Sequence, residues 1–147
     1  MSAGLHVVAA SLALIVGLIV FALPKGTQRH RFFGRGYLAL MLLVNGAALT
    51  IYEDSESGFG VFHYLALVSP ATVAAGFAFV YFRRRFRHWR LMHAHTMAWS
   101  YVGLAAAATG QAGTSLVDNA VWPILITFAI GGVLIQVWVP RAAGFAR

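Results

Sequence analysis

Five long apolar runs alternate with short polar connections along the chain, over residues 3–23, 36–52, 61–82, 91–109 and 120–139. Each approaches the roughly 20 residues that a helix needs to cross a hydrocarbon core. None carries Lys, Arg, Asp or Glu, the residues that cost several kcal/mol at mid-membrane. The pattern predicts an all-α integral membrane bundle of five transmembrane helices. With no repeat, low-complexity tract or linker between the runs, one domain over 1–147 is expected.

The connections read KGTQRHRFFGR, EDSESGFG, RRRFRHWR and GQAGTSLVDN, followed by the tail PRAAGFAR, and they alternate in sign. Lys25, Arg29, Arg31 and Arg35 occupy the first, Arg83, Arg84, Arg85, Arg87 and Arg90 the third, and Arg141 and Arg147 the tail. Glu53, Asp54 and Glu56 occupy the second connection and Asp118 the fourth. Five spans therefore put every base on one side and every acid on the other, whereas four or six would scatter the arginines. The positive-inside rule then predicts an outer amino terminus and a cytoplasmic carboxyl terminus, in a multi-pass protein of the bacterial inner membrane. The first run is expected to be retained as a helix, because MSAGLHVV lacks the basic n-region of a secretory signal.

Composition agrees. The chain is 60% hydrophobic and 10% charged, against roughly 45–50% apolar and 25% charged for a soluble domain. The absence of cysteine removes disulfides, thiolate nucleophiles and Cys-ligated metals. A net charge of +7 would suggest nucleic acid in a soluble protein; here topology absorbs it, and no nucleic-acid partner is expected. Tyr52, Tyr64, Tyr81, Trp89, Trp122 and Trp138 fall near the predicted span ends, where amphipathic rings anchor at the headgroup level.

Inside the spans, small residues recur four apart at Ala13 and Gly17, Thr72 and Gly76, and Thr127 and Gly131, the spacing that lets helices approach closely. Pro70, after Ser69, interrupts the third span and predicts a kink. Pro24 and Pro140 are expected just beyond span ends, and Pro123 in a first turn. Asn45 near mid-membrane and Gln136 near the cytoplasmic end of the fifth span predict helix–helix hydrogen bonds.

Six histidines are the side chains that titrate near neutral pH and bind metal as neutral ligands. His30, His88, His93 and His95 form an inner layer, and His6 and His63 an outer one. Two residues apart on a helix, His93 and His95 point about 200° away from each other. His93 shares its stripe with Met97, Ser100 and Tyr101 and is the one favoured to face inward. A b-type haem needs two imidazoles at one depth on different helices, which His30 with His93 or His95, or His6 with His63, would supply. The same rings with Met41, Met92 or Met97 suit copper equally. The arginines, Arg29, Arg31, Arg35, Arg83, Arg84 and Arg85 foremost, are expected to contact lipid phosphates or another anion. No Ser–His–Asp set forms at one depth and no phosphate-binding glycine motif is present, so no catalytic residue is assigned.

At H-R-F-F-G-R-G-Y (30–37) and H-A-H-T-M-A-W-S-Y-V-G-L (93–104) the chain resembles a bacterial family of small predicted membrane proteins that is catalogued only as a domain of unknown function. That family has an H-R-x-x-G-R-like segment opening one helix and H-x-x-M-x-x-S-Y on a later one. The resemblance implies a multi-helix inner-membrane protein and pairs His30, Gly34 and Arg35 with His93 or His95, Met97, Ser100 and Tyr101. It supplies no reaction.

Three functions are therefore expected in this order. The first is a non-enzymatic accessory or small-ligand-binding membrane protein, forming a homo-oligomer or joining a membrane partner protein. The second is a haem- or metal-binding electron carrier. The third is a small-solute transporter or channel whose path is lined by the Pro70 kink and Asn45.

Overall fold

The computed structural model describes residues 2–51 and 61–142. The described residues form five helices: α1 Ser2–Ala22, α2 Gln28–Ala48, α3 Val61–Tyr81, α4 Trp89–Val117 and α5 Val121–Ala142. No strand occurs among them. Tyr52, Glu53, Asp54, Glu56 and Arg147 lie outside the described residues. The chain divides into two compact units, Met1–Pro70 and Ala71–Arg147, with the division falling within α3.

In the first unit α1 packs on α2. Ala9, Ala13 and Gly17 are buried on α1, and Tyr37, Met41, Val44 and Asn45 on α2. The spacing of four on α1 places its smallest residues in one stripe, so the backbones approach while large side chains stay outside. Leu12, Ile15 and Leu18 of the same helix are each about half exposed. A water-soluble helix buries such residues; here the small ones are inside and the large aliphatics outside, as expected where the solvent is lipid.

In the second unit α4 and α5 pack as a hairpin, with Ala98, Ile135 and Val139 buried among Leu91, Ala94 and Val102. Gly131 lies directly under Val102: a Cβ there would sit 2.6 Å from both methyl carbons. At the far end Gly113 lies under Pro123, where a Cβ would come 2.5 Å from the ring. Both glycines mark places where the two backbones come too close for any side chain.

Among the described residues, three helices are long and apolar enough to cross a membrane, over Ala3–Ala22, Phe62–Tyr81 and Val121–Arg141. The ends of α2 and α4 depart from the sequence-predicted spans, and both departures have local causes. α2 starts at Gln28 rather than 36 because the Thr27 hydroxyl accepts the His30 amide at 3.2 Å as an N-cap. Arginine then continues the helix readily. Arg29, Arg31 and Arg35 are thus on helical turns, and the helix stops at Ala48, short of 52.

α4 runs to Val117 rather than 109. Its polar end stays helical with the Thr114 and Ser115 hydroxyls folded back onto the Gly110 and Gln111 carbonyls, each at 3.1 Å. Termination comes at Asp118, which adopts the left-handed conformation with φ 50°, one that Asp tolerates better than most residues, and the amide of the following Asn119 donates back to the Gly113 carbonyl at 3.3 Å. The Asn119 side chain then caps α5, accepting the amides of Val121 and Trp122 at 2.9 and 3.3 Å. Pro140, expected beyond the end of its helix, lies inside the last turn of α5, and Pro70 lies inside α3.

Candidate functional site

In the first unit the amide of Asn45, 6% exposed, donates to the Met41 carbonyl at 2.6 Å and to the Ser69 hydroxyl at 3.1 Å. The second bond ties α2 to the first half of α3. At the preceding residue of α2, the Val44 carbonyl accepts from His6 Nδ1 at 3.1 Å. Since a carbonyl can only accept, the imidazole donates through Nδ1, and in the neutral ring Nε2 carries the lone pair. His63, near the start of α3, is also buried. His30 is half-buried in the first turn of α2, while Arg29, Arg31 and Arg35 around it are exposed.

In the second unit His93 Nδ1 donates to the Gly76 carbonyl at 2.8 Å, joining α4 to the second half of α3. Gly76 makes this approach possible. A Cβ on it would meet the Met97 sulfur at 2.6 Å and the Thr96 hydroxyl at 3.1 Å. His93 and Met97 therefore converge on one glycine, one through its carbonyl and the other over its Cα. Thr96 turns its hydroxyl inward to the Met92 and His93 carbonyls at 2.8 and 3.1 Å. Ser100, 2% exposed, follows Met97 into the packed interior, and Tyr101 beside it is half-buried.

His95 takes the other direction. With Phe79, Leu91, Met92 and Thr96 it lines a shallow apolar groove of about 300 Å³. Gln136, expected to bond between helices, lies on the exposed face of α5. Arg83, Arg84 and Arg85 are exposed on the α3–α4 turn.

The structure thus brings His93, Met97 and Gly76 together within the second unit. No cluster of three or more His, Asp or Glu suited to a metal ion occurs among the described residues. Sequence reasoning missed several partners. Ser69 was visible only as the residue before Pro70, and the carbonyls of Val44 and Gly76 have no side-chain signal. A hydroxyl ladder also joins the second half of α4 to the first half of α5. There the Thr109 and Thr127 hydroxyls lie 2.8 Å apart, and Thr127 donates to the Pro123 carbonyl at 2.8 Å.

Against known proteins, a family model described as a predicted membrane protein of the DUF2306 family matches residues 3–142. No curated protein and no solved structure matches the chain.

Proposed function

We propose a role for this chain from the premise that it belongs to the DUF2306 family of predicted membrane proteins: it is a non-enzymatic, small-ligand-binding or accessory protein of the bacterial cytoplasmic membrane. In this reading all five helices cross, with the amino terminus outside and the carboxyl terminus inside. α2 spans by letting Arg31 and Arg35 snorkel toward the headgroups, and α4 spans with its polar end outside. The alternation of basic and acidic connections supports this arrangement, since crossing by α1, α3 and α5 alone would put the two arginine-rich segments on opposite sides.

The observation that carries the binding role is the bond from His93 Nδ1 to the Gly76 carbonyl. It fixes the ring by one nitrogen and leaves the other to meet a ligand, beside the soft sulfur of Met97. Accessory packing would not require an imidazole held in this way.

A second reading, a b-type haem or copper site, draws support from the same device used twice. His6 and His93 are both held through Nδ1 by a backbone carbonyl of another helix, the orientation found behind metal-bound imidazoles. Visible absorption spectra, oxidised and reduced, with metal analysis of the same detergent-purified protein, separate the two. A Soret band or stoichiometric copper lost in His93→Ala or His6→Ala selects the second reading. A colourless, metal-free protein, including after haem supplementation, removes it and leaves ligand or partner capture, to be sought by co-purification in mild detergent. A monomer with neither partner nor ligand across several detergents would overturn the first.

A further inference from the structure

The turn from Phe82 to His88 joins α3 to α4, and five arginines, 83, 84, 85, 87 and 90, lie on it and on the first turn of α4, all exposed. Among the described residues Asp118 is the one acid. Asp118 follows the last residue of α4, which at 29 residues is about 43 Å long. The positive end of the α4 dipole adds to the charge of the arginines rather than offsetting it.

The turn is also shaped. Phe86 packs edge-on against Phe79 at 5.2 Å, pinning the middle of the turn to α3. The Arg85 amide closes it onto the Phe82 carbonyl at 2.8 Å. Beyond that pin, Arg87, His88, Trp89 and Arg90 surround a recess of about 280 Å³. The Arg90 guanidinium lies 5.5 Å from the centre of the Trp89 ring, a stacking that holds a long side chain in place. α3 is apolar enough to cross a membrane, so its end at the exposed Tyr81 marks the headgroup level for the turn that follows.

We propose that this recess is a headgroup site for an anionic phospholipid. Its phosphate is held between Arg87 and Arg90 against the edge of Trp89, and Arg83, Arg84 and Arg85 supply the surrounding field. The charge complementarity is to a phosphate diester at the membrane surface. A polybasic segment that only sets topology needs neither a recess nor a stacked guanidinium. The site depends on the turn lying at a membrane surface and is independent of what His93 binds.

The test uses the full chain with Trp99, Trp122 and Trp138 replaced by Phe, leaving Trp89 as the sole tryptophan. It is reconstituted in phosphatidylcholine vesicles containing a minority of lipid brominated near the ester, either phosphatidylglycerol or phosphatidylcholine. Brominated phosphatidylglycerol is expected to quench Trp89 at far lower mole fraction than brominated phosphatidylcholine. R87Q/R90Q should abolish that preference, by about fivefold for each arginine, while R29Q/R31Q leaves it in place. Circular dichroism of each variant confirms that the helices are retained. Equal quenching by the two lipids, or a preference untouched by R87Q/R90Q, overturns the proposal. So does displacement of phosphatidylglycerol by inorganic phosphate at matched ionic strength, which would assign the recess to a soluble anion instead.

Discussion

Gly131→Ala tests whether the α4–α5 hairpin is held by direct backbone approach. The added methyl would lie 2.6 Å from both Val102 methyls and 3.2 Å from its Cβ. Carbon atoms settle at about 3.5–4.0 Å, so α5 must retreat by about 1 Å at that point. Val102 cannot turn aside, because both of its methyls already flank the position and a β-branched residue in a helix has one strongly preferred rotamer. Overpacking of this kind costs about 1–3 kcal/mol. The expected outcome is a lower midpoint in thermal or dodecyl-sulfate unfolding of the detergent-purified protein. Gly103→Ala on α4, where nothing lies within 4 Å of the new methyl, should be neutral or gain up to about 1 kcal/mol from helix propensity. Val102→Ala should rescue Gly131→Ala and by itself cost less than the overpacked variant. A Gly131→Ala protein as stable as Gly103→Ala would refute the packing argument.

Asn45→Ala and Ser69→Ala, alone and together, should show a coupling of about 0.6–1.7 kcal/mol in unfolding, the range for hydrogen bonds between membrane helices; strict additivity would mean that the bond contributes nothing. Thr109→Val and Thr127→Val should each destabilise by about 0.5–1.5 kcal/mol and be sub-additive in the double variant, as unfolding midpoints will read. Because the chain has no cysteine, single substitutions report sidedness without background. Gln28→Cys should resist and Ser115→Cys react with an impermeant maleimide on intact cells, and labelling of both from outside would break the five-span topology.

Much of the fold was legible because lipid imposes one requirement, a long apolar helix, that polarity along the chain reports directly. The helix ends were not, since they depend on capping rather than polarity. Arginine is polar but a good helix former, so α2 extends back to the Thr27 cap, and the hydroxyls of Thr114 and Ser115 satisfy themselves within α4 instead of breaking it. The site was legible in part. Small-residue spacing singled out Gly76, and helical phase put Met97 with His93. The pairing of His93 with the Gly76 carbonyl, and of Asn45 with Ser69, joins positions 17 and 24 residues apart. Such pairs are set by how helices lie against each other, and the acceptor in the first is a backbone atom that every residue possesses.

The length of α4 carries a consequence for the membrane itself. At 29 residues it is about 43 Å long, some 13 Å more than a typical hydrocarbon core, while α1 at 21 residues matches that core closely. In the five-span arrangement proposed above, tilt alone would have to exceed the usual upper range of about 40°, so the surplus would stand clear as a rigid post whose hydroxyl-rich last turns meet water. Deuterium should therefore enter amides 110–117 far sooner than those at the helix centre. A bilayer a few ångströms thicker would submerge part of the post instead of stretching the bundle, giving the protein a built-in tolerance of hydrophobic mismatch.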